Sequence, residues 1–180
     1  MSGKVPGDEL SETIACPPMP IIIGAPRSGT TLLRFMLDSN PELAIPPETG
    51  FLALGDQFTS QGEALREEFF QAVVDFPPQV PNWEDFQIPQ AVFWANLVEL
   101  DPFTVSEGYR TFYRLYASRF TKRRWGDKTP VYCHHLETIA AVLPEAHFIH
   151  IIRDGRDVSI SETDVVLTWM ENRNSGQPLV

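Results

Sequence analysis

At 180 residues the chain is long enough for one domain with a sizeable core, and 43% hydrophobic with 21% charged residues describes a globular protein. A formal net charge of -10 excludes a protein that grips nucleic acid by bulk charge, and admits an anionic small ligand only at a local basic pocket. The two cysteines, Cys16 and Cys133, form no disulfide framework or metal spacing, and no apolar run approaches the ~20 residues of a membrane span.

Residues 1–18 are polar and end in Cys16-Pro17-Pro18; they read as a flexible N-terminal arm. The arm has no apolar signal-peptide core, so the expected location is cytoplasmic. Residues 19–180 read as the folded domain. "PIIIGA" is a short apolar run rich in β-branched residues, which suits a buried parallel strand. From Ser28 the pattern turns helical, with Leu33, Met36 and Leu37 on one face and Asn40-Pro41 as the stop. "ELAIPPETGF" is a short apolar piece and a turn, stiffened by Pro46 and Pro47 just before Glu48.

Residues 62–75 predict a helix with Leu65, Phe69, Ala72 and Val73 on one side. "DFPPQVPNW" is a proline-rich connector, and residues 84–100 read as a further helix. Residues 104–122 form a helix whose stripe of Tyr109, Phe112, Tyr113, Tyr116 and Phe120 is a packing signal. Lys122-Arg123-Arg124 reads as a solvated face.

"RRWGDKTP" reads as a short strand running into a loop. Residues 131–143 read as a helix aligning Tyr132, His135, Leu136, Ile139 and Leu143, ended by Pro144. "HFIHIIR" is a second buried strand, followed by turn and helix in "DGRDVSISETDVVLTWM". His134 and His135 look structural, and His147 and His150 point to opposite strand faces, a poor metal pair.

Strand, glycine loop and helix recur at both ends of the chain, which predicts an α/β fold with a parallel sheet covered by helices. Such sheets place ligands beyond the carboxyl ends of their strands. The loops after Ile23, Trp125 and Ile152 all meet that condition.

The first of these, Gly24-Ala25-Pro26-Arg27-Ser28-Gly29-Thr30-Thr31, keeps the spacing of a phosphate-binding loop. Thr30 stands where a nucleotide triphosphatase carries lysine. Backbone amides at a glycine turn and helix start make an anion nest. Arg27 adds a charge-assisted contact, and Thr30 and Thr31 add hydroxyls. Without the lysine, the residues favour a phosphate-like ligand over a metal-bound triphosphate.

The other candidates each have a plain structural alternative. Arg153 and Ser161 can converge on one anion, or serve as a surface arginine beside an Asp154 helix cap. Lys128 can face the crevice, or be an exposed lysine. Glu48 can be a general base on a rigid turn, or a cap or surface ion-pair partner.

Together, "IIGAPRSGTTLLR", "PPETGF", "WGDKTP" and "FIHIIRDGRDVSIS" resemble the P-loop sulfotransferases, in particular the group of tyrosylprotein sulfotransferases and bacterial relatives. The resemblance runs from about Ile21 to Ser161. It implies a P-loop NTPase-like parallel sheet flanked by helices. It also implies transfer of a sulfuryl group from 3′-phosphoadenosine 5′-phosphosulfate (PAPS) to a small-molecule or peptidyl hydroxyl, without a metal. Under it, Gly24 and Arg27 to Thr31 (Arg27, Ser28, Gly29, Thr30, Thr31) cradle the 5′-phosphosulfate, and Arg153 with Ser161 binds the 3′-phosphate. Glu48 matches the family's base, and Lys128 matches the lysine that reaches toward the transferring group beside Arg27.

Family members continue well beyond the 3′-phosphate helix, whereas this chain stops at "ENRNSGQPLV". The expectation is therefore a partial or shortened domain, incomplete at its C-terminus, with Trp169 and Met170 packing on a missing part. Two other functions stay open: a non-catalytic nucleotide-binding remnant, and a P-loop kinase-like enzyme, against which the absent lysine counts.

Overall fold

The computed structural model describes residues 17–76 and 82–161. The arm up to Cys16, most of the proline connector, and Trp169 with Met170 lie outside the described residues.

Strand β1 (Met19–Gly24) is the centre of the molecule. Its run Ile21-Ile22-Ile23 is buried on both faces, as a continuous apolar strand of a parallel sheet must be. A strand β4 (Asp127–Lys128) and a strand β5 (Ala146–Ile151) pair with it in parallel, in the order β4-β1-β5. The register sets Ile22 beside Lys128 and Gly24 beside Ile151. A second, two-stranded parallel sheet joins β2 (Leu43–Ala44) to β3 (Arg124–Trp125). All these pairings are parallel, so all carboxyl ends of the β4-β1-β5 sheet face one way.

The helices are α1 (Thr30–Asp38), α2 (Gly62–Val74), α3 (Gln90–Val98), α4 (Val105–Ser118) and α5 (Leu136–Val142). Residues 155–161 are helical as well. Thr104 caps α4 by accepting from the Glu107 amide. Tyr109, Phe112 and Tyr113 of α4 are fully buried. Tyr109 and Phe112 meet Phe51, whose ring stacks on Tyr109 at 5.9 Å and lies edge-on to Phe112 at 4.9 Å.

Several expectations are corrected. Met36 is 63% exposed, because α1 touches the core only along Leu33 and Leu37, which pack with Ile22, Leu43 and Ile45. Phe120 leaves the aromatic stripe at 48% exposure, since α4 ends at Ser118 and Thr121 turns the chain with φ 58°. The helix expected over 84–100 is broken. A 3-10 turn at Trp83–Phe86 ends at Gln87 (φ 51°), and Pro89 disfavours helix in the residue before it, so α3 starts only at Gln90. The helix over 131–143 is likewise a 3-10 turn, Pro130–His134, joined to α5 through a non-helical His135 (φ -129°, ψ 24°). Strand β5 alternates between half-buried and exposed positions, because its one sheet partner among the described residues is β1. Ile152 just beyond it is 82% exposed. Lys122 and Arg124 are not merely solvated: Lys122 donates to the carbonyl and carboxylate of Asp38, and Arg124 to the Pro18 carbonyl.

Between β3 and β4 the chain passes from one sheet to the other at Gly126. A Cβ there would lie 2.6 Å from the Pro20 carbonyl oxygen, a backbone atom that cannot swing aside. Gly126→Ala is expected to lower the unfolding free energy by about 1–3 kcal/mol, the usual cost of overpacking. Urea unfolding measures it; an unchanged midpoint would show that the two strands separate freely.

Candidate functional site

Three loops leave the β4-β1-β5 sheet at its carboxyl edge and bring the predicted residues together. The loop after β1 turns through residues of positive φ, Arg27 at 64° and Gly29 at 95°, on either side of Ser28, which is not of that kind. Alternation between left- and right-handed backbone points successive amides into one concavity. Gly29 is also the residue at which α1 begins, with no side-chain cap and no acidic residue in the first turn. The loop therefore presents amides and offers them no carboxylate. Gly24 is needed where it stands, because a Cβ would approach the Ile151 carbonyl oxygen to 2.6 Å.

Ser28 and Thr30 are buried in this loop, whereas Arg27 and Thr31 are exposed. The Ser28 hydroxyl has no hydrogen-bond partner among the described residues. A buried hydroxyl costs free energy until something bonds it. The Arg27 Nε donates to Ser161 Oγ at 3.0 Å, across 134 residues of chain. Arg153 donates from Nη1 to the Arg27 carbonyl at 3.0 Å and lies 3.8 Å from Asp157. Arg27, Arg153 and Ser161 thus form one cluster. Asp154 takes the capping role expected of it, accepting from the Arg156 amide at 2.9 Å.

Glu48 and Lys128 meet in an ion pair. The proline-stiffened turn carries the first and β4 the second. The lysine side chain is 5% exposed and the glutamate 36%, so solvent reaches the pair from the carboxylate side. The expected alternative of an exposed lysine is ruled out by that burial.

Behind this pair lies a set of buried polar residues that the sequence reading did not single out. Asp127 is fully buried and accepts from Tyr113 (2.7 Å), Thr49 (2.8 Å) and Thr129 (2.9 Å). Thr49 also bonds the Tyr132 hydroxyl at 2.7 Å. Burial pushes the Asp127 carboxyl up to about 6, although its hydrogen bonds and Lys128 pull the other way. Burial also raises the Tyr113 and Tyr132 phenols well above their ordinary value. The available signal was a threonine directly after both Glu48 and Lys128, with an aspartate before the lysine.

Residues 18–175 match the model of a family described as "Sulfotransferase family". The chain is 30% identical over 148 residues to nodulation protein NoeE of Sinorhizobium fredii (strain NBRC 101917 / NGR234), covering 80% of this chain and 31% of that protein. It is 28% identical over 144 residues to protein-tyrosine sulfotransferase 1 of Danio rerio, covering 77% and 34% respectively. The chain thus spans about a third of the length of these curated relatives. Among solved structures it is similar to a sulfotransferase domain from the curacin biosynthetic pathway, with TM-score 0.41 and 22% identity over 75% of this chain and 46% of that one. A second is sulfotransferase STF9 from Mycobacterium avium, with TM-score 0.37 and 20% identity over 76% and 43%.

Proposed function

This chain belongs to the sulfotransferase family, and from that premise we propose that it transfers a sulfuryl group from PAPS to a hydroxyl acceptor. The observation that carries the reading is the convergence of an anion-binding loop, a two-arginine cluster and a Glu48–Lys128 pair at one sheet edge.

The residues present fit such a donor. Ser28 offers a buried hydroxyl without a partner among the described residues, and the loop offers amides of alternating hand. When bound, PAPS supplies an activated sulfuryl group whose transfer releases adenosine 3′,5′-bisphosphate. Gly24, Arg27, Ser28, Gly29, Thr30 and Thr31 hold its 5′ end in this reading, and Arg153 with Ser161 holds the 3′-phosphate. Glu48 takes the proton from the acceptor hydroxyl. Lys128 and Arg27 stabilise negative charge on the departing oxygen, a role for preorganised donors.

A small-molecule or peptidyl hydroxyl is the acceptor class; one matched relative is named as a protein-tyrosine sulfotransferase. No described helix is long and apolar enough to cross a membrane. A cytoplasmic location belongs to the same proposal, supported by a cysteine content too low for a disulfide framework.

The test is ligand-induced stabilisation. Adenosine 3′,5′-bisphosphate at 100 times its Kd should add about 2.7 kcal/mol and raise Tm accordingly. A shift with ATP and Mg²⁺ but none with the bisphosphate would overturn the reading.

A further inference from the structure

Two segments distant in sequence carry Glu48 and Lys128, and a buried hydrogen-bond network joins them. Thr49, next to Glu48, donates its hydroxyl to Asp127 Oδ2 and its amide to Thr129 Oγ1 at 3.1 Å. Thr129 in turn donates its hydroxyl to Asp127 Oδ1. Lys128 therefore sits between two anchored neighbours, Asp127 on its own strand and Thr129 just beyond it.

The protons have a definite direction. Thr49 has spent its hydrogen on Asp127, so Tyr132 donates to Thr49 Oγ1 and accepts from the Leu52 amide at 3.0 Å. Tyr113 sends its hydrogen to Asp127 as well. Three hydroxyls end on one carboxylate, and an ionised carboxylate is the side chain that accepts all three without offering a donor. Alternation along β4 turns the Asp127 side chain away from the side on which Lys128 meets Glu48. Its hydrogen bonds reach the pair through Thr49 and Thr129, and its charge also acts on Lys128 directly.

We propose that Asp127 is a positioning residue: its carboxylate clamps the Glu48 turn to the Lys128 strand and so sets the geometry of that pair. The proposal rests on the sulfotransferase reading only for the claim that this geometry serves turnover. A misplacement near 1 Å at a reacting group can lower the rate on the order of 10²-fold.

Asp127→Asn preserves shape, and its amide oxygen still accepts from Thr49 and Tyr113 while its NH₂ faces Thr129. In the full chain this variant is expected to keep its thermal shift with adenosine 3′,5′-bisphosphate while kcat falls by on the order of 10²-fold. The double variant Asp127→Asn/Glu48→Gln should be no slower than Glu48→Gln alone, because the two changes remove one function. Multiplying effects, or an unchanged kcat in Asp127→Asn, would overturn the proposal.

A second readout needs no turnover. The Lys128 ammonium NMR signal should be visible in the wild type, lost in Glu48→Ala and weakened in Asp127→Asn. Full signal in Asp127→Asn overturns the clamp, whereas an intact NMR response with no sulfuryl transfer by the wild type defeats only the sulfotransferase reading. If Asp127→Asn does not fold, Thr49→Val should weaken the signal and Thr49→Ser should keep it; equal signals from the two would again overturn the clamp.

Discussion

Glu48→Gln is expected to reduce kcat by 10²–10⁴-fold, the usual contribution of a positioned general base. Gln keeps an oxygen that accepts from Lys128, so the contact that orders the turn survives while the proton acceptor is lost. The pair's structural worth is small: with the carboxylate 36% exposed, solvent screens it to the scale of roughly 1 kcal/mol or less. A large kcat loss therefore reports chemistry and not stability. Binding of adenosine 3′,5′-bisphosphate should be unaffected, since among the described residues Glu48 pairs with Lys128 and makes no hydrogen bond to the loop residues that hold the nucleotide in this reading. A kcat near the wild-type value would place the base elsewhere, and would leave Glu48 as a partner for Lys128 only.

Much of this arrangement was legible in the chain because the signals were local. The run Ile21-Ile22-Ile23 dictates a strand buried on both faces, and the glycine loop after it dictates where that strand's ligand edge lies. The α4 stripe of Tyr109, Phe112, Tyr113 and Tyr116 follows from helical spacing alone. What local pattern did not disclose was pairing between distant segments. Leu43-Ala44 became a strand because Arg124-Trp125 offered it a partner, and neither dipeptide announces that. Met36 was assigned to the core by periodicity, yet the sheet supplies contacts only along Leu33 and Leu37. The candidate site divides the same way. Arg27, Glu48, Lys128, Arg153 and Ser161 were readable as residue types at strand ends. The Asp127 network was not, because a buried aspartate beside a lysine looks like any surface charge until Tyr113, from another helix, is placed over it.

That network also carries a sharp dependence on pH. Asp127 has its folded-state value raised to about 6 from an ordinary 3.8, with burial as the largest cause. Between those two values the folded protein holds a proton that the unfolded chain has released. Stability from this group is therefore greatest below pH 4, falls as pH rises through the window, and is lower by about 3 kcal/mol above pH 6. The titratable groups acting on it are Tyr113 from α4, Tyr132 from the 3-10 turn and, through space, Lys128 on β4; both phenols are pushed upward, away from this window. Asp127→Asn has no such titration. Chemical denaturation of both proteins from pH 3 to pH 7 should show the wild type losing about 3 kcal/mol relative to the variant, with contributions from other groups cancelling in the difference. Parallel curves would mean that the carboxylate ionises as easily inside as outside. Divergent curves would mean that the folded chain keeps a charge it would be more stable without, which is the condition expected of a group retained for the geometry it imposes on Glu48 and Lys128.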